Sequence, residues 1–100
     1  MKKLSDYTGE DAIIINGEIM APMGEIIADK GAIEALQGEN QLAAIGEIMK
    51  THSKAVADIL GAVSGGEYNG GNAGMYFLQI FTDFCKTFGD GDFFNSMATN

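Results

Sequence analysis

The stretch Asn72-Ala73-Gly74-Met75-Tyr76-Phe77-Leu78-Gln79-Ile80-Phe81-Thr82-Asp83-Phe84-Cys85-Lys86-Thr87-Phe88-Gly89 decides the fold class of this chain. Its residues Tyr76, Phe77, Ile80, Phe81, Phe84, Cys85 and Phe88 recur three and four apart, the period of an α-helix. The set covers more than one helical face. A helix so apolar is either central to a core or presents a second face to a partner. The spacing therefore predicts a helix beginning near Asn72 or Ala73 and ending at Gly89. Asp90-Gly91-Asp92 reads as a turn, with Phe93 and Phe94 in a short tail over 90–100. Tyr76, Phe77, Phe81, Phe84, Phe88, Phe93 and Phe94 are the candidate partner-binding residues, although core packing is the plainer role for any one of them.

Upstream, Ser64 to Gly74 contains Gly65, Gly66, Gly70, Gly71 and Gly74 with Asn69 and Asn72, a composition that predicts a flexible loop. Before it, Val56, Ile59, Leu60 and Val63 share one helical face, with Ser53 as the expected cap. Leu42, Ile45, Ile48 and Met49 mark another helix, capped by Asn40 and carrying Lys50 in its last turn. Gly31 to Leu36 is a short helical stretch that Gly38 stops.

At the start, Thr8-Gly9-Glu10-Asp11 resembles a capping box, with Thr8 as N-cap. Ala12, Ile15, Ile19 and Met20 follow at helical spacing. Pro22 either ends this helix at Ala21 and opens a second one, or kinks a single helix. In the following segment Met23, Ile26 and Ile27 form an apolar stripe that ends near Asp29. No stretch alternates like a strand. The expected fold is all-α, with about five short helices around a single core and a Gly-rich loop before the aromatic C-terminal helix.

One hundred residues are enough for one domain, spanning 1–100, and one core. The formal charge of −8 lacks the basic footprint that phosphate binding requires, which disfavours nucleic acid and an anionic membrane as direct partners. The single cysteine, Cys85, allows no intrachain disulfide and suits a reducing compartment. No secretory or membrane-spanning pattern is present in the sequence, so the expectation is a soluble protein inside a cell.

Chemistry finds little to work with. His52, the only histidine, lies between two predicted helices, where the dipole favours it as a helix-end residue. Cys85 sits among aromatics with only Lys86 as a cationic neighbour, which reads as an inert thiol. One histidine and one cysteine cannot make a zinc site. The run from Asp90 fails as a calcium loop, because Phe94 and Asn95 stand where an oxygen ligand and a glycine belong. The glycine-rich segment fails as a phosphate loop, because Met75 and Tyr76 follow Gly74 in place of Lys and Ser or Thr. No catalytic residue, cofactor or metal is expected, and the chain reads as a non-enzymatic binding protein.

The opening Met1-Lys2-Lys3-Leu4-Ser5-Asp6-Tyr7-Thr8-Gly9-Glu10-Asp11-Ala12 is similar to the start of small tail assembly chaperones from long-tailed phages and prophages of Gram-positive bacteria. Pro22 with Glu25 to Asp29 resembles that family's second helical stretch. Ala44 to Ala57 looks like its paired middle helices. Glu67-Tyr68-Asn69, Phe77 to Asp83 and Phe93 to Ser96 look like its last helix and aromatic tail. This chain departs from the family in having Gly31, Gly38, Gly46 and Gly61 in a less charged middle. The resemblance implies a chaperone that coats the tape measure protein in the host cytoplasm before the tail tube polymerises. Two other readings compete with it. One is a small acidic phage inhibitor that occupies the basic channel of a host defence protein. The other is a subunit that self-associates through the aromatic helix.

Overall fold

The computed structural model describes residues 1–89, with side chains through residue 86. A 3-10 turn at Leu4–Asp6 precedes five helices: α1 (Gly9–Ile27), α2 (Lys30–Leu36), α3 (Gln41–Thr51), α4 (Ser53–Ser64) and α5 (Ala73–Gly89). Among the described residues there is no strand, and the helices enclose one core, as expected. The 90–100 tail lies outside the described residues.

The core is assembled from one face of each helix. α1 contributes Ile15, Ile19, Met23 and Ile26, and packs most extensively on α4, which answers with Val56, Ile59, Leu60 and Val63. Ile33 and Leu36 of α2, and Ile45 and Ile48 of α3, close one side. Tyr76, Phe77, Ile80, Phe81 and Phe84 of α5 fill the rest. Each fully buried aliphatic side chain contributes roughly 1.5–3 kcal/mol, so the long apolar stripes dominate the local signals.

That dominance decides the fate of Pro22. The helix does not end at Ala21: α1 runs through Pro22 as one element of 19 residues. Ile19 before the proline and Met23, Ile26 and Ile27 after it are all buried. Burying this shared face offsets the roughly 3 kcal/mol that an interior proline costs. Met20, grouped with the apolar stripe by spacing, instead points outward and is exposed, as is Leu42 on α3.

The caps divide into those that form and those that do not. Asn40 accepts a hydrogen bond from the Ala43 amide at 3.1 Å, and so caps α3 as its sequence position predicts. Asp29 does the same for α2, accepting from the Ala32 amide at 3.2 Å. Thr8 occupies the N-cap position of α1, but its side chain makes no capping bond, so the expected capping box is absent. Gly9 enters the helix with φ of +59°, a backbone conformation outside the geometry in which a threonine hydroxyl reaches the first-turn amides. Ser53 is the first residue of α4 rather than its cap; His52 takes the cap position, and a single residue joins α3 to α4.

The glycine-rich connection is shorter than its composition suggested, because Ser64 belongs to α4 and Ala73 and Gly74 to α5. Gly65 ends α4 in the left-handed conformation that glycine adopts without a Cβ penalty. The Ser64 hydroxyl accepts from the amides of Gly66 and Glu67, both at 3.1 Å. The Asn72 carboxamide accepts from the Asn69 amide at 2.9 Å, and that of Asn69 accepts from the Gly71 amide at 2.8 Å. The turn is thus organised by side-chain bonds before α5 begins.

Two tyrosines fasten the N-terminal segment. The Tyr7 hydroxyl donates to the Val63 carbonyl at the end of α4, and the Tyr76 hydroxyl donates to the Lys2 carbonyl. Burial raises the Tyr76 hydroxyl above its usual pKa, which keeps it a neutral donor.

Candidate functional site

Four aromatic residues of α5, Tyr76, Phe77, Phe81 and Phe84, face the core. Phe77 is 0% exposed, and Tyr76, Phe81 and Phe84 are buried beside it. The Phe77 and Phe81 rings meet at 5.8 Å between centroids, tilted by 50°. These four side chains form the core wall of the helix, the plainer of the two roles their spacing allows. The side chain of Phe88, together with Phe93 and Phe94, lies outside the described residues.

An open apolar surface of α5 is its neighbouring stripe. Gly74, Met75 and Leu78 lie on it at positions i, i+1 and i+4, and Gly71, in the turn before the helix, extends it. On α3, Leu42, Ile45, Gly46 and Met49 stand at positions i, i+3, i+4 and i+7. The two stripes face each other across a groove of about 260 Å³, and every residue lining it is apolar or glycine. Leu42 is 71% exposed and Met75 66% exposed at its edge, while Ile45 is buried at its base. Beyond the Met75–Leu78 ridge lies a second shallow depression, lined also by Met1, Lys3 and Gln79.

Glycine hollows this groove. A Cβ placed on Gly46 would meet nothing within 4 Å, and one on Gly74 would meet the Met49 sulfur at an ordinary 3.6 Å. Neither glycine is required by backbone strain or by packing inside the chain. Each costs roughly 1 kcal/mol of helix propensity relative to alanine. What they provide is depth between two rows of large apolar side chains. Met49 and Met75 add unbranched thioethers that adjust to varied shapes. An i, i+3, i+4, i+7 groove of this kind fits the apolar face of a helix.

A larger cleft, about 510 Å³, lies between α2 and α3 and is lined by small side chains, among them Gly31, Ala32, Ala35, Ala43 and Ala44. Asp29 and Thr51 stand in its lining, and Asp29 pairs with His52 at 2.8 Å. That pair does structural work. The two oxygens of Asp29 join the start of α2 to the α3–α4 junction, and the His52 bond is the main cause holding its carboxyl below the usual value of 3.8. The dipole position of His52 was legible in sequence; its carboxylate partner, 23 residues away, was not.

Cys85 is half-buried, and burial pushes its thiol up to about 11, far from the thiolate a nucleophile needs. Among the described residues, no group of three or more His, Cys, Asp or Glu side chains is placed to hold a metal ion. No helix among them is long and apolar enough to cross a membrane.

No family model, curated protein or solved structure matches this chain.

The aromatic run drew the sequence reading to the buried face of α5. The signal for the groove was present in the matched glycine-bearing spacing of Leu42 to Met49 and Gly71 to Leu78. It carried no weight until the two helices were known to be neighbours.

Proposed function

We propose that this protein is a non-enzymatic helix-binding protein, and that it acts as a tail assembly chaperone for a phage tape measure protein. The α3–α5 groove carries the binding part of this reading: it is an open channel lined by apolar residues and glycine, with adaptable methionines along it and glycines that hollow it. A long helical client exposes an apolar stripe until it is assembled, and a groove of this shape covers such a stripe. The similarity of Met1 to Ala12 to tail assembly chaperones supplies the identity of the client.

Co-expression with a phage tape measure protein tests the reading. The expected result is a soluble complex that elutes together on a sizing column and is lost with Leu42→Asp and Met75→Asp. Both positions are exposed, so those variants keep the wild-type helical content by circular dichroism. A client that stays insoluble, or a complex indifferent to both substitutions, overturns it. Capture instead of a host nuclease, collapsing with added salt, would select the acidic-inhibitor reading.

A further inference from the structure

The outward face of α1 is a second apolar surface, and neither its composition nor its charge is explained by packing within the chain. Ile13 is 74% exposed, Ile14 51% and Met20 42%, three large apolar side chains on one surface helix. At 100° per residue they flank a strip of exposed small residues, Gly17, Ala21 and Gly24. A Cβ on Gly17 or Gly24 would meet nothing within 4 Å, so the chain itself does not need the missing side chains. Small residues in such a strip let a second helix approach closely.

The charges beside the strip are all of one sign. Asp11, Glu18 and Glu25 recur every seventh residue and lie along one edge of the face, about 10 Å apart along the axis. All three are exposed, and none has an ion pair among the described residues. α1 contains no lysine or arginine. Two copies packed antiparallel through this face would bring carboxylate rows together, and packed parallel would set each row against an opposite edge that also lacks a cation. A helix with a row of lysines or arginines beside its apolar stripe would pair with the edge while covering Ile13, Ile14 and Met20.

We infer that the α1 face is a docking site for a basic amphipathic helix of another protein. It is separate from the α3–α5 groove, and it does not depend on the groove's client.

The test uses the full chain and two synthetic amphipathic helical peptides with the same apolar stripe. One carries lysine along the flanking edge and the other carries glutamate there. Calorimetric titration is expected to show binding of the lysine peptide and at least about tenfold weaker binding of the glutamate peptide. Ile13→Asp and Met20→Asp should each weaken the lysine peptide at least about tenfold. These substitutions make the protein more acidic, so diffuse charge attraction would be kept or strengthened by them. Replacing Asp11, Glu18 and Glu25 together by glutamine should also abolish binding, while Leu42→Asp and Met75→Asp in the groove should leave it intact. The inference is overturned if the two peptides bind equally, if the α1 variants bind the lysine peptide like wild type, or if only the groove variants lose it. It is also overturned if light scattering finds a dimer that Ile13→Asp dissociates, since the face would then belong to a second copy.

Discussion

His52 Nε2 lies 2.8 Å from Asp29 Oδ2, while Asp29 Oδ1 accepts the Ala32 amide at 3.2 Å. One carboxylate thereby caps α2 and fastens it to the single residue that joins α3 to α4. The hydrogen bond to His52, and after it the Ala32 amide, favour the ionised carboxylate and hold its pKa below 3.8.

A depressed folded pKa sets the sign of the pH dependence. The stabilisation is complete above the unfolded carboxylate value and is lost as pH falls through the lower folded value. Asp29→Asn keeps a capping side chain but removes the charge. The difference in melting temperature between wild type and Asp29→Asn should be largest above about pH 4 and shrink as the pH is lowered through the depressed folded value. A difference constant over that range would show that the charge of Asp29 contributes nothing.

Phe77 is fully buried and Leu42 is exposed, although both belong to apolar helical stripes. Phe77→Ala should cost about 3–5 kcal/mol in urea unfolding, from lost burial and the cavity left behind. Leu42→Ala should change stability by no more than about 0.5 kcal/mol. Equal losses at the two positions would contradict the burial pattern.

Asn40 and Thr8 occupy equivalent cap positions, but only Asn40 makes the capping bond. Asn40→Ala should therefore lose about 1 kcal/mol. Thr8→Ala should be nearly neutral in the same measurement. A loss at Thr8 matching that at Asn40 would mean that the capping box forms in solution.

Tyr7 and Tyr76 each donate a hydroxyl hydrogen bond to a distant backbone carbonyl, at Val63 and Lys2. Tyr76→Phe should cost about 0.5–1.5 kcal/mol and speed tryptic cleavage at Lys2 and Lys3. Unchanged cleavage would show that the N-terminal segment is held by something else.

Gly46 separates stability from binding. Gly46→Ala should stabilise the protein by roughly 1 kcal/mol, because alanine improves helix propensity and its Cβ meets nothing. Gly46→Leu should leave the fold intact while filling the α3–α5 groove and weakening client binding. Client binding unaffected by the leucine would place the contact elsewhere.

The sequence by itself determined the helical period of the five helices, the Asn40 cap and the single core. These are local properties, set by residues within one or two turns of each other. Ile15, Ile19, Met23 and Ile26 need only their own spacing to define a face. The tertiary structure decided which apolar residues that core takes in. Spacing alone placed Met20 and Leu42 with buried neighbours, which packing reversed, and left Tyr76, Phe77, Phe81 and Phe84 between core and partner, which packing decided for the core. It carried α1 through Pro22, gave His52 its carboxylate and set the stripes of α3 and α5 side by side. The physical reason is that a helix with apolar residues on more than one side has several faces to bury. The choice among them is made by the shapes of the other helices, and burial of a shared face outweighs a proline or an unused cap.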